Sequence, residues 1–285
     1  MKGLCDLHTH SNCSDGTMTP RELVALAKEL GLEGVALTDH NTVAGLEELL
    51  SAGQELGIRT VPGVEFSTEY RGKELHLLCL FPQEEHYGTI REKLAEALKR
   101  KEQSNLDLVE ALDSAGVHLD YAAIKAGTPN GQVNRALIAA EMVRRGYCAT
   151  VREAFDQWLA PELGYFRPPQ RLGTLEMVEF IRELGGVSVL AHPWLNLNEG
   201  ELTGFLREAV PLGLDGLEGI YSEFTPEQRE KLIRIAGEHG LLVSGGSDFH
   251  GGNKPDIALG SGKGDLRVPV ELLDLLEERS LRNRT

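Results

Sequence analysis

Short apolar segments alternate with amphipathic stretches through both ends of the chain, a pattern that predicts strands alternating with helices. The predicted strands are Leu4–His8, Gly34–Thr38, Arg59–Phe66, Glu74–Phe81, Val187–Ala191, Gly216–Tyr221 and Leu241–Gly245. Between them, apolar positions at helical spacing predict helices, among them Val43–Leu56 and Leu175–Leu184. This alternation favours a mainly parallel α/β sheet or a barrel.

Capping residues mark two of the helix starts. Thr19 and Glu22 form one capping-box pattern, with Pro20 at the first helical position, and Thr225 and Gln228 form the other. A capping box satisfies backbone N–H groups that the first helical turn leaves unpaired. These two patterns therefore predict helices that begin after the first and the sixth predicted strands.

The alternation of strands and helices stops in the middle of the chain. Residues 84–170 contain two helical patterns, Tyr87–Gly116 and Gln132–Gly146, and no convincing strand pattern. We therefore expect a barrel domain made of residues 1–83 and 171–285, with a helical insertion at 84–170. The glycine-rich stretch at 251–264 fits neither the P-loop nor the dinucleotide-binding pattern.

Six of the nine histidines, together with three carboxylates, lie at or near the ends of predicted strands. These residues are His8, His10, Asp15, His40, Glu65, His76, His192, Asp248 and His250. Side chains two apart on a strand share a face, and the carboxyl ends of parallel barrel strands form one catalytic face. We therefore expect the nine side chains to converge and to bind two or three divalent cations. His86, His118 and His239 fall outside this pattern and are read as ordinary structural residues.

Imidazole and carboxylate ligands without thiolates suit Mn²⁺, Fe²⁺ or Zn²⁺, and sequence does not choose among them. The net charge of −15 argues against binding to long nucleic acid. Bound cations would nevertheless keep the pocket positive enough to attract a phosphate dianion. The expected partner is therefore a small phosphorylated substrate. The sequence makes no prediction of the oligomeric state.

The cellular location is predicted from what the chain lacks. The sequence has no apolar run long enough to span a bilayer and no secretion signal at its N-terminus. Its four cysteines show neither a CxxC pair nor a spacing typical of disulfide scaffolds. We therefore expect a cytoplasmic protein with reduced thiols and no membrane partner.

Residues 6–16, DLHTHSNCSDG, resemble the signature that opens the PHP (polymerase and histidinol phosphatase) family. Later motifs of that family match TDH at 38–40, GVE at 63–65, His76, AHP at 191–193 and SDFHG at 247–251. The resemblance implies a distorted (β/α)₇ barrel of the TIM type that carries three metals and hydrolyses phosphate esters. In the family, a hydroxide that bridges two metals attacks phosphorus while the third metal binds phosphate oxygens.

The resemblance also implies how the ligands divide among the metals. The first metal would bind His8, His10, Glu65 and Asp248. The second would bind Glu65, His76 and His192. The third would bind Asp15, His40 and His250. Glu65 would thus bridge the first two metals.

The insertion between the His76 and His192 motifs resembles that of stand-alone PHP members that act on nucleotides. These are the 3′,5′-nucleoside bisphosphate phosphatases, which also trim short RNA from its 5′ end. Their insertion carries an Arg-Pro-His motif, whereas residues 135–137 here are Arg, Ala and Leu. Arg135 is expected to contact phosphate in a bidentate manner, with Asn134 and Arg171 as neighbouring substrate-binding residues.

Two alternatives to a nucleotide phosphoesterase stay open at this point. The first is a phosphatase for a non-nucleotide metabolite such as histidinol phosphate, because the proline and histidine of the subgroup motif are replaced. The second is a non-catalytic sensor of metals or nucleotides. Retention of all nine ligand types argues against a sensor, because a degenerate site should have lost some of them.

Overall fold

The computed structural model describes residues 3–128 and 133–284. Its strands are β1 (Cys5–Asp6), β2 (Gly34–Leu37), β3 (Arg59–Tyr70), β4 (Lys73–Leu80), β5 (Leu172–Gly173), β6 (Val187–Leu190), β7 (Gly216–Tyr221) and β8 (Leu242–Gly246). Its α-helices are α1 (Pro20–Glu29), α2 (Leu46–Leu56), α3 (Tyr87–Ser114), α4 (Tyr121–Ala126), α5 (Arg135–Arg144), α6 (Val151–Ala154), α7 (Thr174–Glu183), α8 (Glu199–Leu212), α9 (Pro226–Glu238) and α10 (Val270–Asn283). None of these helices is both long and apolar enough to cross a membrane.

Seven strands form a nearly closed barrel in the order β1-β2-β3-β4-β6-β7-β8, and the short β5 pairs with β3 beside this path. The chain that follows β1 meets β8 and the residues after it in a parallel arrangement. Leu7 donates a backbone hydrogen bond to Gly245 (3.1 Å), and Asp248 donates one to His8 (2.8 Å). Gly246 is required here, because a Cβ atom on it would lie 2.4 Å from the Cβ of His8. The predicted barrel class is confirmed.

The sheet is less parallel than the sequence predicts. β4 runs antiparallel to both of its neighbours, β3 and β6, whereas the other pairs in the barrel path are parallel. The cause is the two-residue connection between β3 and β4, in which Arg71 and Gly72 both adopt positive φ. Such a connection makes a hairpin, because a parallel crossover needs a dozen residues or more.

Both predicted capping boxes are confirmed. The side chain of Thr19 accepts from the N–H of Glu22, and that of Thr225 accepts from the N–H of Gln228. The second predicted helix of the insertion begins at residue 132, which lies outside the described residues. Within the described residues its counterpart is α5, which is capped by Asn134.

Internal contacts divide the chain into two compact units. One comprises Met1–Glu92 with Leu172–Thr285, and the other comprises Lys93–Arg171. The first unit contains the barrel, whose core includes Leu7, Val189 and Val268. The second unit is helical and has its own apolar core, in which α5 contributes Ile138, Ala139 and Met142.

Candidate metal centre

The nine residues predicted as metal ligands lie in one cluster. Each has a side-chain nitrogen or oxygen within 3.3 Å of another member of the cluster. The members that follow parallel strands are His8 and His10 after β1, His40 after β2, His192 after β6, and Asp248 and His250 after β8. Strand ends far apart in the sequence thus converge, as parallel barrels allow.

Two members lie well inside strands rather than near strand ends, which corrects the sequence prediction. Glu65 is in the middle of β3, because that strand continues to Tyr70 and pairs with β4 along its length. His76 is inside the antiparallel β4. Glu65 reaches the cluster because its backbone also pairs with the chain after β2, where its N–H donates to Asp39 (3.2 Å).

One carboxylate oxygen of Glu65 faces three imidazoles. Its Oε2 lies 3.2 Å from Nε2 of His8, 3.2 Å from Nε2 of His10 and 3.1 Å from Nδ1 of His40. The Glu65 side chain is fully buried, so water does not screen these contacts.

The other oxygen of Glu65 faces two further imidazoles. Its Oε1 lies 2.9 Å from Nδ1 of His76 and 3.1 Å from Nε2 of His192. A single buried carboxylate therefore separates two groups of histidines, one on each oxygen.

Asp248 uses its two oxygens differently. Oδ1 lies 3.2 Å from Nε2 of His10 and 3.4 Å from Nδ1 of His250. Oδ2 accepts hydrogen bonds from the hydroxyl of Tyr221 (2.8 Å) and the ammonium of Lys254 (2.6 Å). Asp248 adopts a φ of 58°, in the left-handed region, and such strained backbone is concentrated at functional sites.

Asp15 forms the exposed edge of the cluster, with 55% of its side chain accessible. Its Oδ1 lies 3.3 Å from Nε2 of His250, and its Oδ2 lies 3.8 Å from Nε2 of His40. Four residues, His10, Asp15, His40 and His250, each place one ligand atom within 4.8 Å of the ligand atoms of the other three. Asp15 is therefore the member of the cluster most open to solvent.

The donor atoms fit divalent cations. Among the residues that the structure describes, six buried cluster atoms make no hydrogen bond of normal geometry, although three of the nitrogens lie 3.1–3.2 Å from Glu65 Oε2. They are His8 Nε2, His10 Nδ1 and Nε2, His40 Nδ1, Glu65 Oε2 and His192 Nδ1. A buried polar atom left without a partner costs about 1–3 kcal/mol, so six in one cluster point to a ligand that satisfies them. Nitrogen and carboxylate oxygen without thiolate suit Mn²⁺, Fe²⁺ or Zn²⁺.

The charges of the cluster are strongly coupled. Burial raises the pKa of Glu65, but the surrounding His40, His8 and His76 hold it well below the usual range. Burial lowers the pKa of His76, yet the Glu65 carboxylate raises it to about 10. For His40, burial dominates and lowers the pKa to about 4. A cation that binds here competes with protons for the same nitrogen atoms.

Residues that the sequence did not single out also contact the cluster. Among them are Glu74, Glu218, Tyr221 and Lys254. Glu218 carries a readable signal, because a lone carboxylate inside an apolar strand is rarely buried without a partner. Lys254 lies in the glycine-rich stretch and carries no such signal.

Asp39, part of the TDH motif, accepts from the backbone N–H and the hydroxyl of Ser11 (2.7 and 2.6 Å) and so fixes the turn that leads to Asp15.

The residues predicted to bind substrate lie in the helical unit. The guanidinium carbon of Arg135 lies 4.2 Å from the ring centroid of Phe166, and its Nη1 donates to the carbonyl of Leu159 (3.1 Å). Asn134 uses its side-chain oxygen to accept from the N–H of Leu137 (2.9 Å). Burial and the positive charge of Arg171 both lower the pKa of Arg135, so the two arginines lie within electrostatic reach.

Comparison with known proteins identifies the family. A PHP domain model matches residues 6–161. A 5′-3′ exoribonuclease of Haemophilus influenzae is 33% identical over 86% of this chain and 89% of its own length. A phosphoribosyl 1,2-cyclic phosphate 1,2-diphosphodiesterase of Eggerthella lenta is 29% identical, covering 86% of this chain and 94% of the relative. A 3′,5′-nucleoside bisphosphate phosphatase of Chromobacterium violaceum is 30% identical, covering 86% of each chain.

A solved structure agrees with this grouping. A protein of Bifidobacterium adolescentis, assigned by prediction as a metal-dependent phosphoesterase, matches with a TM-score of 0.71 and 32% identity over 96% of both chains. The chain therefore belongs to the PHP family, and it is a metal-dependent phosphoesterase. The non-catalytic alternative is not retained.

Proposed function

We propose that this protein hydrolyses a phosphate ester of a small nucleotide, using two or three divalent cations held by the nine-residue cluster. The observation that carries this proposal is the buried Glu65 carboxylate, which faces three imidazoles with Oε2 and two with Oε1. A carboxylate that serves two groups of imidazoles at once is suited to bridge two metals. Mn²⁺, Fe²⁺ and Zn²⁺ all suit the donors.

We assign the metal positions as the family resemblance implies, and the contacts of the donor atoms support the assignment. In the first, Glu65 Oε2 and Asp248 Oδ1 join His8 and His10. In the second, Glu65 Oε1 joins His76 and His192. In the third, Asp15 joins His40 and His250. His40 stands between the first and third positions, because its Nδ1 faces Glu65 while its Nε2 faces Asp15.

Divalent cations, when bound, lower the pKa of water and stabilise the charge that develops on a phosphoryl group. The protein residues supply the orientation. Glu65 and Asp248 are buried and form the inner part of the site. Asp15 is exposed and His40 partly exposed, and they form its open edge. The side chain of Lys254 is 41% exposed and contacts Asp248, so it adds a positive charge to the same region. A phosphate group therefore meets a positive surface despite the acidic chain as a whole.

The nucleotide assignment rests on the relatives and on Arg135. Two of the relatives are named as enzymes that act on RNA or nucleoside bisphosphates. We assign Arg135, with Asn134 and Arg171, to substrate binding in the helical unit. The stacking of Arg135 on Phe166 supports this role, because it holds the planar guanidinium in one orientation.

A second candidate substrate is a non-nucleotide phosphoester. The Eggerthella lenta relative is named as a diesterase of a phosphoribosyl cyclic phosphate. Ala136 and Leu137 replace the proline and histidine of the nucleotide subgroup, which favours this candidate.

We also place the protein in the cytoplasm, supported by Cys5, Cys13, Cys79 and Cys148, all of which are free thiols.

The test is a substrate panel measured with Mn²⁺ present. It comprises 3′,5′-nucleoside bisphosphates, short 5′-phosphorylated RNA, a phosphoribosyl cyclic phosphate, histidinol phosphate and p-nitrophenyl phosphate. The proposal expects the highest kcat/KM on a bisphosphate or on RNA. A clear preference for histidinol phosphate or the cyclic phosphate would remove the nucleotide assignment and leave phosphoester hydrolysis in place.

A further inference from the structure

Glu218 and Tyr221 lie on the same side of β7 although they are three residues apart. Side chains of a regular strand alternate, so residues three apart point to opposite faces. The pairing of β7 with β8 is irregular at this point. Glu218 pairs with Ser244 and Tyr221 with Gly246, so three steps on β7 match two steps on β8. This is a β-bulge, and bulges beside active sites are a known way to redirect a side chain.

The bulge brings Glu218 to the candidate metal centre. The Glu218 side chain is fully buried, and it uses both of its oxygens. Oε1 lies 2.9 Å from Nδ1 of His8, and Oε2 accepts from the backbone N–H of His192 at 2.7 Å. A carboxylate accepts only, so Nδ1 of His8 carries the proton in this contact. The other ring nitrogen, Nε2, faces the Glu65 side of the cluster, 3.2 Å from Oε2, and is the nitrogen that would bind a metal.

The same contact restrains His192. This residue has a φ of 27°, a backbone conformation that non-glycine residues rarely adopt. Its N–H points to Oε2 of Glu218, so the carboxylate holds the strained segment from which the imidazole projects. Glu218 therefore connects two predicted ligands that belong to different metal positions.

Tyr221 acts on a third ligand. Its buried hydroxyl donates to Oδ2 of Asp248 at 2.8 Å. The other oxygen, Oδ1, is thereby turned toward His10, with 3.2 Å between Oδ1 and Nε2. Asp248, like His192, has positive φ, so this contact too fixes a ligand that the backbone alone holds under strain.

We propose that Glu218 and Tyr221 are positioning residues that orient His8, His192 and Asp248 for metal binding. The inference rests on the metal centre of the proposed function. Neither residue is assigned to metal or substrate. Outer partners of metal-binding histidines set the tautomer and the ring orientation, and their loss typically weakens metal affinity about 10–100-fold.

Glu218→Gln tests the first half of the proposal. A glutamine can accept from the N–H of His192, but its amide NH₂ then faces His8 and favours the tautomer protonated at Nε2. We expect ¹⁵N NMR of the histidines, with diamagnetic Zn²⁺ added, to show the Nδ1–H tautomer of His8 in the unsubstituted protein and its loss in the variant. We expect the affinity for Mn²⁺, measured by calorimetry, to fall about 10–100-fold.

Asp215→Asn is the matched control. Asp215 is a buried carboxylate just before β7, and it accepts from Arg279 and from the N–H of Ser188 (2.9 and 3.0 Å). The control is expected to lower the melting temperature and to leave Mn²⁺ affinity unchanged. Unchanged Mn²⁺ affinity and an unchanged His8 tautomer in Glu218→Gln would overturn the proposal, as would an equal loss of affinity in the control.

Tyr221→Phe removes only a hydroxyl and keeps the test decisive if Glu218→Gln fails to fold. Its control is Tyr70→Phe, because the buried Tyr70 donates to Glu208 (2.7 Å). We expect weaker Mn²⁺ binding in Tyr221→Phe alone, and equal binding in both would overturn the role of Tyr221. These measurements use metal and no substrate. A wild-type protein that binds Mn²⁺ but hydrolyses no phosphoester would therefore defeat the proposed function without affecting this inference.

Discussion

Nδ1 of His76 lies 2.9 Å from Oε1 of Glu65, across the antiparallel pair formed by β3 and β4. Oε2 of the same carboxylate faces the histidines that follow β1 and β2. The Glu65 carboxylate thus lies within 3.2 Å of five imidazoles. Among the described residues of the cluster, no other makes as many contacts of this length. The first two proposed metal positions both depend on that carboxylate.

Glu65→Gln should remove metal binding at the first two positions and nearly abolish activity. An amide cannot offer two anionic oxygens to two cations, and the loss of several kcal/mol corresponds to about 10³-fold or more in kcat/KM. Metal content by elemental analysis and phosphate release check this. The matched control is Glu69→Gln, an exposed residue of the same strand. Full metal content in Glu65→Gln would contradict the bridging role.

Asp15→Asn should have a different and smaller effect on metal content. Asp15 is exposed and belongs to the third position only, so the buried first and second positions should keep their metals. We expect a loss of about one metal per chain and an increase in KM, because the third position is the one proposed to contact phosphate. A variant that lost all of its metals would show that the three positions do not separate as proposed.

Metal binding should release protons and should strengthen as pH rises. The pKa of His76 is raised to about 10, so this imidazole holds a proton at neutral pH that a metal must displace. At lower pH protons compete more strongly for this nitrogen, so the affinity for Mn²⁺ falls. Calorimetry in two buffers of different ionisation enthalpy gives the number of protons released. A buffer-independent heat of Mn²⁺ binding would contradict this prediction.

Arg135→Ala should raise KM more than it lowers kcat, while metal content stays unchanged. The side chain is assigned to substrate phosphate, and its removal leaves the nine ligands intact. Arg152→Ala is the control, because Arg152 lies in the same helical unit and its side chain is 92% exposed. Steady-state kinetics on the preferred substrate of the panel decide the matter. Identical KM values for both variants would return Arg135 to a structural role in stacking on Phe166.

Much of the barrel could be predicted because its signals are local. The apolar pattern predicts the strand Gly216–Tyr221 with the bounds that the structure shows, and the capping boxes at Thr19 and Thr225 mark helix starts within a few residues of sequence. The direction of β4 could not be predicted, because it depends on a turn in which Arg71, a residue with no preference for positive φ, adopts that conformation.

The residues of the candidate site also differ in how far the sequence alone predicts them. His8, His10, Asp248 and His250 stand out because pairs two apart beside apolar strands are visible in sequence. The placement of Glu218 and Tyr221 on one side of the sheet is hidden, because alternation along β7 predicts opposite faces, and only the pairing with β8 reveals the bulge that makes them neighbours. A register shift depends on two strands at once and has no local signature.

Hydrolysis of phosphate esters at the nine-residue cluster is proposed to require bound divalent metals. The decisive measurement is phosphate release from a 3′,5′-nucleoside bisphosphate after chelation and after addition of Mn²⁺, in the unsubstituted protein and in Asp248→Ala and His10→Ala. We expect loss of activity on chelation, recovery with Mn²⁺ in the unsubstituted protein, and no recovery in either folded variant. Full activity under chelation, or in either variant, would contradict it.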